Sequence, residues 1–156
     1  MTTTTDELVE TIEVAATPAQ VWALVSDLPR MASWSPQVVR TVVRGKVRLG
    51  ATTINLNRRG PLFWPTRSTV VRFEPHRELA FRVAENHTVW SFTLDPVAGG
   101  TRVTQRRETP DGISALSRRL TKVALGGQEQ FRRELREGMR QTLARIKADA
   151  EAVADG

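Results

Sequence analysis

The segment TRVTQRRET, residues 101–109, contains an arginine whose burial would have chemical consequences. If Val103 faces the interior of a strand, Gln105 and Arg107 face it too, because alternate side chains share a face. The opposite register would bury two other arginines and expose Val103, at a higher cost. A buried guanidinium must pair with a carboxylate, a ligand oxygen or water. Arg107 therefore either reaches solvent from the strand end or binds an anionic or enolic group of a ligand.

The two histidines are the other side chains that could transfer protons near neutral pH. His76 lies in EPHRE, a turn sequence, which predicts exposure to solvent. His87 begins a strand and is a weak catalytic candidate, because no acidic or hydroxyl neighbour marks a proton relay. With two distant histidines and no cysteine, we predict no metal site and no cofactor. The pair Gly126–Gly127 lacks the surroundings of a phosphate-binding loop, so nucleotide binding is not predicted.

The basic residues suggest a rival function at the surface. Residues 101–147 hold 12 Lys and Arg against 5 Asp and Glu, within a net charge of +6 for the whole chain. Glutamates interrupt these arginines, and no aromatic residues alternate with them, so we predict no nucleic-acid partner. Contact with an anionic membrane surface, or a protein-interaction module without a small-molecule ligand, remains an alternative. The start of the chain has no secretory pattern, and no window approaches about 20 apolar residues, so we predict a cytoplasmic protein.

The N-terminal elements are predicted with specific signals. Residues 8–15 alternate as a strand, and TPAQ at 17–20 forms a capping box that opens a helix. The helix ends near Asp27 and is followed by PRMASWSP, which contains Trp34 in an unexpected place for a bulky aromatic residue. Trp34 either fills the core or contacts a ligand.

From residue 37 to 109 the apolar residues recur with a period of two, interrupted by Gly- and Pro-containing turns. This pattern predicts antiparallel strands with one apolar face. The inward face is predicted to include Ile54, Leu56, Thr69, Val71, Phe81, Trp90 and Phe92.

The last third is predicted to be helical. A short helix follows residue 112, Gly126–Gly127 makes a kink, and a helix from about 128 to 150 would be about 35 Å long. Its apolar stripe includes Phe131, Leu135 and Met139.

The order of these elements, with PAQVWALVSDLPRMASWSP, STVVRFEPHRELAFRV and SFTLDPVAGGTRVTQR, resembles the START-like (SRPBCC) helix-grip superfamily, in its polyketide cyclase/dehydrase and lipid-transport branch. The resemblance implies an α+β fold. A curved antiparallel sheet of about seven strands would wrap around a long C-terminal helix, with two short helices after strand 1. One domain would span residues 8–150, with flexible tails at 1–7 and 151–156.

The resemblance also implies a cavity between the sheet and the long helix. The first hypothesis is that it binds a hydrophobic, lipid-like or polyketide-like molecule. The second is a polyketide cyclase or dehydratase that positions a reactive chain with Arg67 or Arg107. Related cyclases have an aromatic residue and an arginine near PLFWPTRST, although Arg67 could also be a rim residue of that strand. Together with the inward residues above, the ligand-binding candidates are Trp34, Gln105, Arg107, Phe131, Leu135 and Met139.

Overall fold

The computed structural model describes residues 7–109 and 128–155. In chain order its elements are β1 (Leu8–Val14), α1 (Pro18–Val25), a 3₁₀ turn (Leu28–Arg30), α2 (Met31–Trp34), β2 (Val38–Arg44), β3 (Thr52–Arg59), β4 (Leu62–Glu74), β5 (Glu78–Val83), β6 (Val89–Val97), β7 (Gly100–Glu108) and α3 (Gln128–Asp155). The helix predicted after residue 112, the kink at Gly126–Gly127 and residues 1–6 lie outside the described part. Helix α3 continues to Asp155 and so includes residues 151–155, which the sequence assigns to a tail.

The described strands form one antiparallel sheet in the order β1-β7-β6-β5-β4-β3-β2. Strands β1 and β2 are therefore its edges. Helix α3 packs mainly against β1, and α1 and α2 lie against α3. This arrangement confirms the predicted helix-grip fold of seven strands, two short helices and one long helix. None of the described helices has the length and apolar character required to span a bilayer.

Helix α1 begins as the capping box predicts. The backbone N–H of Gln20 donates to Thr17 Oγ1 at 3.1 Å, and the backbone N–H of Thr17 donates to Gln20 Oε1 at 2.9 Å. Both bonds satisfy amide groups at the helix start that have no partner within the helix.

Trp34 is the last residue of α2, and it connects that helix to α3. Its side chain is 1 % exposed, and its indole Nε1–H donates to Asp149 Oδ2 at 2.8 Å. Arg145 Nη1 donates to the Trp34 carbonyl oxygen at 3.0 Å. The large aromatic residue after the helix thus belongs to the core, with its one polar atom paired.

The inward faces of β3 and β4 differ from the prediction. Ile54 and Leu56 are exposed, and Thr53, Asn55 and Asn57 face inward instead. The prediction was wrong because it assigned the apolar side of an alternating strand to the interior, and here the interior side is polar.

In β4 the error has a second cause, a β-bulge. The register shifts between Val70 and Arg72, so Thr69 and Val71 face outward whereas Phe73, beyond the bulge, packs on the core. The prediction placed these residues on one face because an extra residue in a strand is not visible from period-two alternation.

The apolar interior consists of two separate groups of side chains. The larger group joins α1, α2 and the C-terminal half of α3 to the sheet. The smaller group comprises Leu8, Leu135 and Met139, with Trp90 and Phe131 packed against it. The sheet and α3 therefore do not touch along their whole length, and the cavity described below borders both groups.

Candidate functional site

A cavity of about 150 Å³ lies between the sheet, α2 and the N-terminal half of α3. Its lining combines apolar side chains with many hydrogen-bonding groups. The apolar lining residues are Leu28, Met31, Val38, Trp64, Phe81, Val83, Trp90, Phe131 and Leu135. The polar lining residues are Ser35, Gln37, Thr41, Thr53, Asn55, Asn57, Arg59, Thr66, Asn86, Thr88, Gln105 and Arg107.

A network of amide and hydroxyl groups fixes the polar wall on β2, β3 and β4. Thr41 Oγ1 donates to Asn55 Oδ1 at 3.0 Å, and Asn55 Nδ2 donates to Ser68 Oγ at 2.9 Å. Asn57 Nδ2 donates to Thr66 Oγ1 at 2.9 Å and to the Trp64 carbonyl oxygen at 3.2 Å. These bonds hold the wall in place before any ligand binds, which lowers the entropic cost of binding.

Strand β7 contributes the two side chains that its register predicts. Gln105 is 5 % exposed and Arg107 is 8 % exposed, and both line the cavity. Within the described residues, Gln105 Oε1 is the one buried side-chain polar atom that has no hydrogen-bond partner. The Arg107 guanidinium carbon lies 5.9 Å from the centre of the Trp90 ring, within the range of a cation–π contact.

An ion pair connects the β3–β4 end of the cavity to α3. The Arg59 guanidinium donates from Nε and Nη2 to the two carboxylate oxygens of Glu134. This hydrogen bonding, together with the charge of the guanidinium, lowers the pKa of Glu134 and outweighs the opposing effect of burial. The same hydrogen bonding raises the pKa of Arg59, so the pair is charged throughout the physiological range.

Six of the predicted ligand-binding residues lie together at this cavity: Phe81, Trp90, Gln105, Arg107, Phe131 and Leu135. Three others are buried in the core and do not line the cavity: Trp34, Phe92 and Met139. The remaining four face outward and correct the prediction, for the reasons given with β3 and β4: Ile54, Leu56, Thr69 and Val71.

The two weaker catalytic candidates lie away from the cavity. The side chain of Arg67 is 73 % exposed, and its Nε donates to Glu85 Oε2 at 3.2 Å on the outer face. His87 occupies the turn before β6 with a φ angle of 62°, is exposed, and has its Nδ1 3.2 Å from Arg82 Nη2. Of the two alternatives for Arg67, the structure favours a position outside the cavity, because Thr66 and Ser68 beside it on β4 face inward.

The period-two pattern does not predict the polar wall, although the sequence contains another signal for it. TTINLNRR places two asparagines two residues apart in a strand, where asparagine is normally depleted. Residues of one parity share a face, so Thr53, Asn55, Asn57 and Arg59 form a single polar row. Such a row opposite the similarly polar Thr66 indicates an interior that needs hydrogen-bonding groups.

The lining limits the chemistry that the cavity could support. Within the described part of the chain, the ionisable groups that line it are the guanidinium groups of Arg59 and Arg107. Neither is suited to remove a proton, because arginine remains protonated. The arrangement can bind and orient a ligand and can stabilise negative charge on a ligand oxygen.

A curved antiparallel sheet around a long helix, with a half-polar cavity between them, defines a helix-grip protein with a small-molecule pocket. Residues 5–151 match the sequence profile of the family described as polyketide cyclase / dehydrase and lipid transport. The match covers most of the chain, and the protein belongs to this family. A comparison with curated proteins gave no match.

Solved structures share the fold. The di-domain aromatase/cyclase StfQ from the steffimycin biosynthetic pathway superposes with a TM-score of 0.75 at 17% identity over 96% of this chain. The chain spans about half of that protein, 52%. The Zhui aromatase/cyclase from Streptomyces sp. R1128 gives a TM-score of 0.69 at 16% identity, with 93% of each chain covered. A Polyketide_cyc-like protein of Corynebacterium glutamicum gives 0.62 at 25% identity, over 95% of this chain and 93% of that one.

Proposed function

We propose that the protein binds a hydrophobic small molecule that has several oxygen-containing groups along one side, as polyketide-like compounds do. The observation that supports this most is the amide of Gln105, a residue that lines the cavity and whose buried Oε1 has no partner among the described groups. An unpaired buried acceptor destabilises a folded protein by about 1–3 kcal/mol. A ligand hydroxyl or enol that donates to this oxygen would remove that penalty.

The lining favours such a ligand over a plain acyl chain. Phe81, Trp90 and Phe131 offer apolar and aromatic surface to a ring, and other lining residues present amide and hydroxyl groups. Because many of these groups bond to one another, the discrimination rests mainly on Gln105 Oε1, which an acyl chain would cover without pairing. A cavity of about 150 Å³ holds roughly one benzene-sized ring, so a longer ligand must extend beyond it.

Quenching of tryptophan fluorescence tests the proposal, because Trp64 and Trp90 line the cavity. Apigenin, a planar polyphenol, serves as the oxygen-rich probe, and oleate serves as the acyl-chain probe. We expect apigenin to bind more tightly than oleate. Gln105→Met and Arg107→Gln should each weaken apigenin binding about tenfold or more, the effect of losing a hydrogen bond in a buried site.

The matched control is Arg67→Gln, which removes an arginine from the outer face of the same sheet. It should leave the affinity for apigenin unchanged. Tighter binding of oleate than of apigenin, or equal apigenin affinity in wild type and both cavity variants, would contradict the proposal. Circular dichroism and thermal unfolding of each variant show whether a loss of binding reflects a loss of fold.

A second candidate function is cyclisation of a poly-β-ketone chain. The observation that favours it is the placement of the Arg107 guanidinium, 5.9 Å from the Trp90 ring centre and in the same cavity as Gln105. Water would take the acidic proton between two carbonyl groups of the chain, and the guanidinium would stabilise the enolate oxygen that forms. The enolate carbon then attacks a carbonyl carbon of the same chain, whose π electrons move to its oxygen, and that alkoxide takes a proton from water. Incubation with a poly-β-ketone mimic should give cyclised product faster than buffer alone, and Arg107→Gln should lose that acceleration whereas Arg67→Gln keeps it. A rate equal to the buffer rate would exclude this candidate.

A further inference from the structure

The segment that includes β2, β3 and β4 has an unusual charge composition, and Arg40 and Arg58 lie on the outer face of these strands. Residues 28–73 contain nine Lys and Arg and no Asp or Glu. Within the described structure, Arg40, Arg44, Lys46, Arg48 and Arg58 form no ion pair, whereas the other four basic residues of this segment each do. Five basic side chains without an ion pair therefore lie in this segment, whereas Arg136 and Arg140 on α3 both pair with Glu10.

The same face exposes apolar side chains. Eight of the ten large hydrophobic residues that are exposed in the described structure fall between residues 39 and 71. Ile54 is 60 % exposed and Phe63 is 57 % exposed. Four of the eight, Val42, Ile54, Leu56 and Phe63, lie on the outer side of β2–β4. Exposed apolar residues grouped in this way indicate a contact site, whereas scattered single residues would need no explanation.

Strand pairing places the apolar and basic side chains next to each other. Val42, Ile54 and Arg67 form one cross-strand row. Arg40 and Leu56 lie in the next row, and Arg58 pairs with Phe63 at the hairpin end. We call this surface the outer patch, defined by Arg40, Val42, Ile54, Leu56, Arg58 and Phe63.

We propose that the outer patch docks on an anionic lipid surface, with the apolar side chains entering the headgroup region and the arginines contacting lipid phosphates. A membrane surface presents the two chemistries that the patch matches, negative headgroups and apolar chains. The patch lies on the side of the sheet opposite the cavity, so this site is separate from the proposed ligand site.

Other occupants fit the patch less well. A second copy would bring two sets of unpaired cations together, and β2 is an edge strand whose arginines oppose such pairing. Nucleic acid would match the charge, but among the apolar residues of the patch only Phe63 could stack on a base, whereas Val42, Ile54 and Leu56 cannot. A folded protein partner presents both signs of charge, and the patch has no carboxylate to meet basic groups on it.

Sedimentation with lipid vesicles tests the proposal on the full chain. We expect binding to vesicles of equal parts phosphatidylcholine and phosphatidylglycerol, no binding to phosphatidylcholine alone, and weaker binding as salt rises. The double variant Arg40→Gln with Arg58→Gln should bind about 30-fold more weakly, from a contribution of about fivefold for each arginine near an anionic surface. Ile54→Ser with Phe63→Ser should bind at least about tenfold more weakly.

Two controls distinguish vesicle binding through the outer patch from non-specific electrostatic or hydrophobic binding. Arg77→Gln with Arg133→Gln removes the same charge from exposed positions elsewhere, and Val153→Ser removes an apolar side chain that is 57 % exposed on α3. Both should keep wild-type vesicle binding, and all variants should keep wild-type circular dichroism.

Three outcomes would overturn the proposal. The first is no preference of the wild type for anionic vesicles, and the second is an equal loss of binding in the controls and the patch variants. The third is a patch-dependent dimer in light scattering, or patch-dependent binding of a labelled oligonucleotide, without vesicle binding.

Discussion

Replacing Gln105 with methionine should stabilise the ligand-free protein, because it removes the buried amide oxygen that has no partner. Methionine is unbranched and of similar length, so the packing against neighbouring side chains is largely kept. The penalty for an unpaired buried acceptor is about 1–3 kcal/mol. A small rotation of the amide toward the cavity, which is large enough to hold a water molecule, would let water donate to Oε1 and reduce this penalty. We therefore expect a gain near the lower end, about 1 kcal/mol in the free energy of unfolding.

Urea unfolding followed by circular dichroism measures this gain. The midpoint should rise with an unchanged slope, and the melting temperature should rise by about 2–4 °C, as expected for a domain of this size. The matched control is Thr101→Val, because Thr101 is also fully buried but its Oγ1 donates to the Ala16 carbonyl oxygen at 2.8 Å. That variant leaves a buried carbonyl without its donor and should lose about 1–2 kcal/mol.

The two variants must change stability in opposite directions for the reasoning to hold. If Gln105→Met is destabilised as much as Thr101→Val, the Gln105 amide oxygen has a hydrogen-bond partner in the ligand-free protein and is not available to a ligand. If the prediction holds, the stabilised variant is also the one that binds apigenin more weakly, as expected where a polar group is retained for binding at the expense of stability.

The remaining predictions concern α3 and the close packing of β1 and β7. Arg59 lowers the pKa of Glu134, so their pair stabilises the fold above the ordinary carboxylate pKa and is lost as pH falls through the lowered value. Glu134→Gln should thus reduce stability at neutral pH, and the difference from wild type should vanish in acid; a constant difference in urea unfolding would contradict this. Gly100→Ala should lower the melting temperature strongly, because its Cβ would lie 1.9 Å from the Val14 carbonyl oxygen. Gly138→Ala, with only ordinary contacts, should raise stability by up to about 1 kcal/mol, and equal melting temperatures for the two alanine variants would refute the packing argument.

Much of the fold follows from local signals in the sequence. The capping box of Thr17 and Gln20 locates α1, and turn residues separate the strands. The register of β7 was predictable because only one choice buries Val103 and exposes the neighbouring arginines. Trp34 could be assigned to a special environment, but its partner Asp149 is 115 residues away and could not be found from sequence spacing.

The cavity wall on β3 and β4 was not predictable by the same rule, because that rule assumes an apolar interior. Asn55, Asn57 and Thr66 line the cavity, as the oxygen-bearing ligand proposed above would require, and the apolar residues of the alternating strand therefore face outward. Departures from a local rule are expected at functional sites.

In β3 and β4 polar residues face the cavity and apolar residues face outward, and this arrangement connects the proposed ligand site with the proposed membrane contact. Because side chains alternate, each polar residue turned toward the cavity turns an apolar neighbour such as Ile54 or Leu56 toward the surface. A protein that needed only a polar cavity could place serine or threonine at those outward positions without affecting the pocket. The exposed apolar residues, surrounded by unpaired arginines, are therefore not a necessary consequence of the inner wall. Their retention on one face is the reason to expect that the outer patch has a partner of its own.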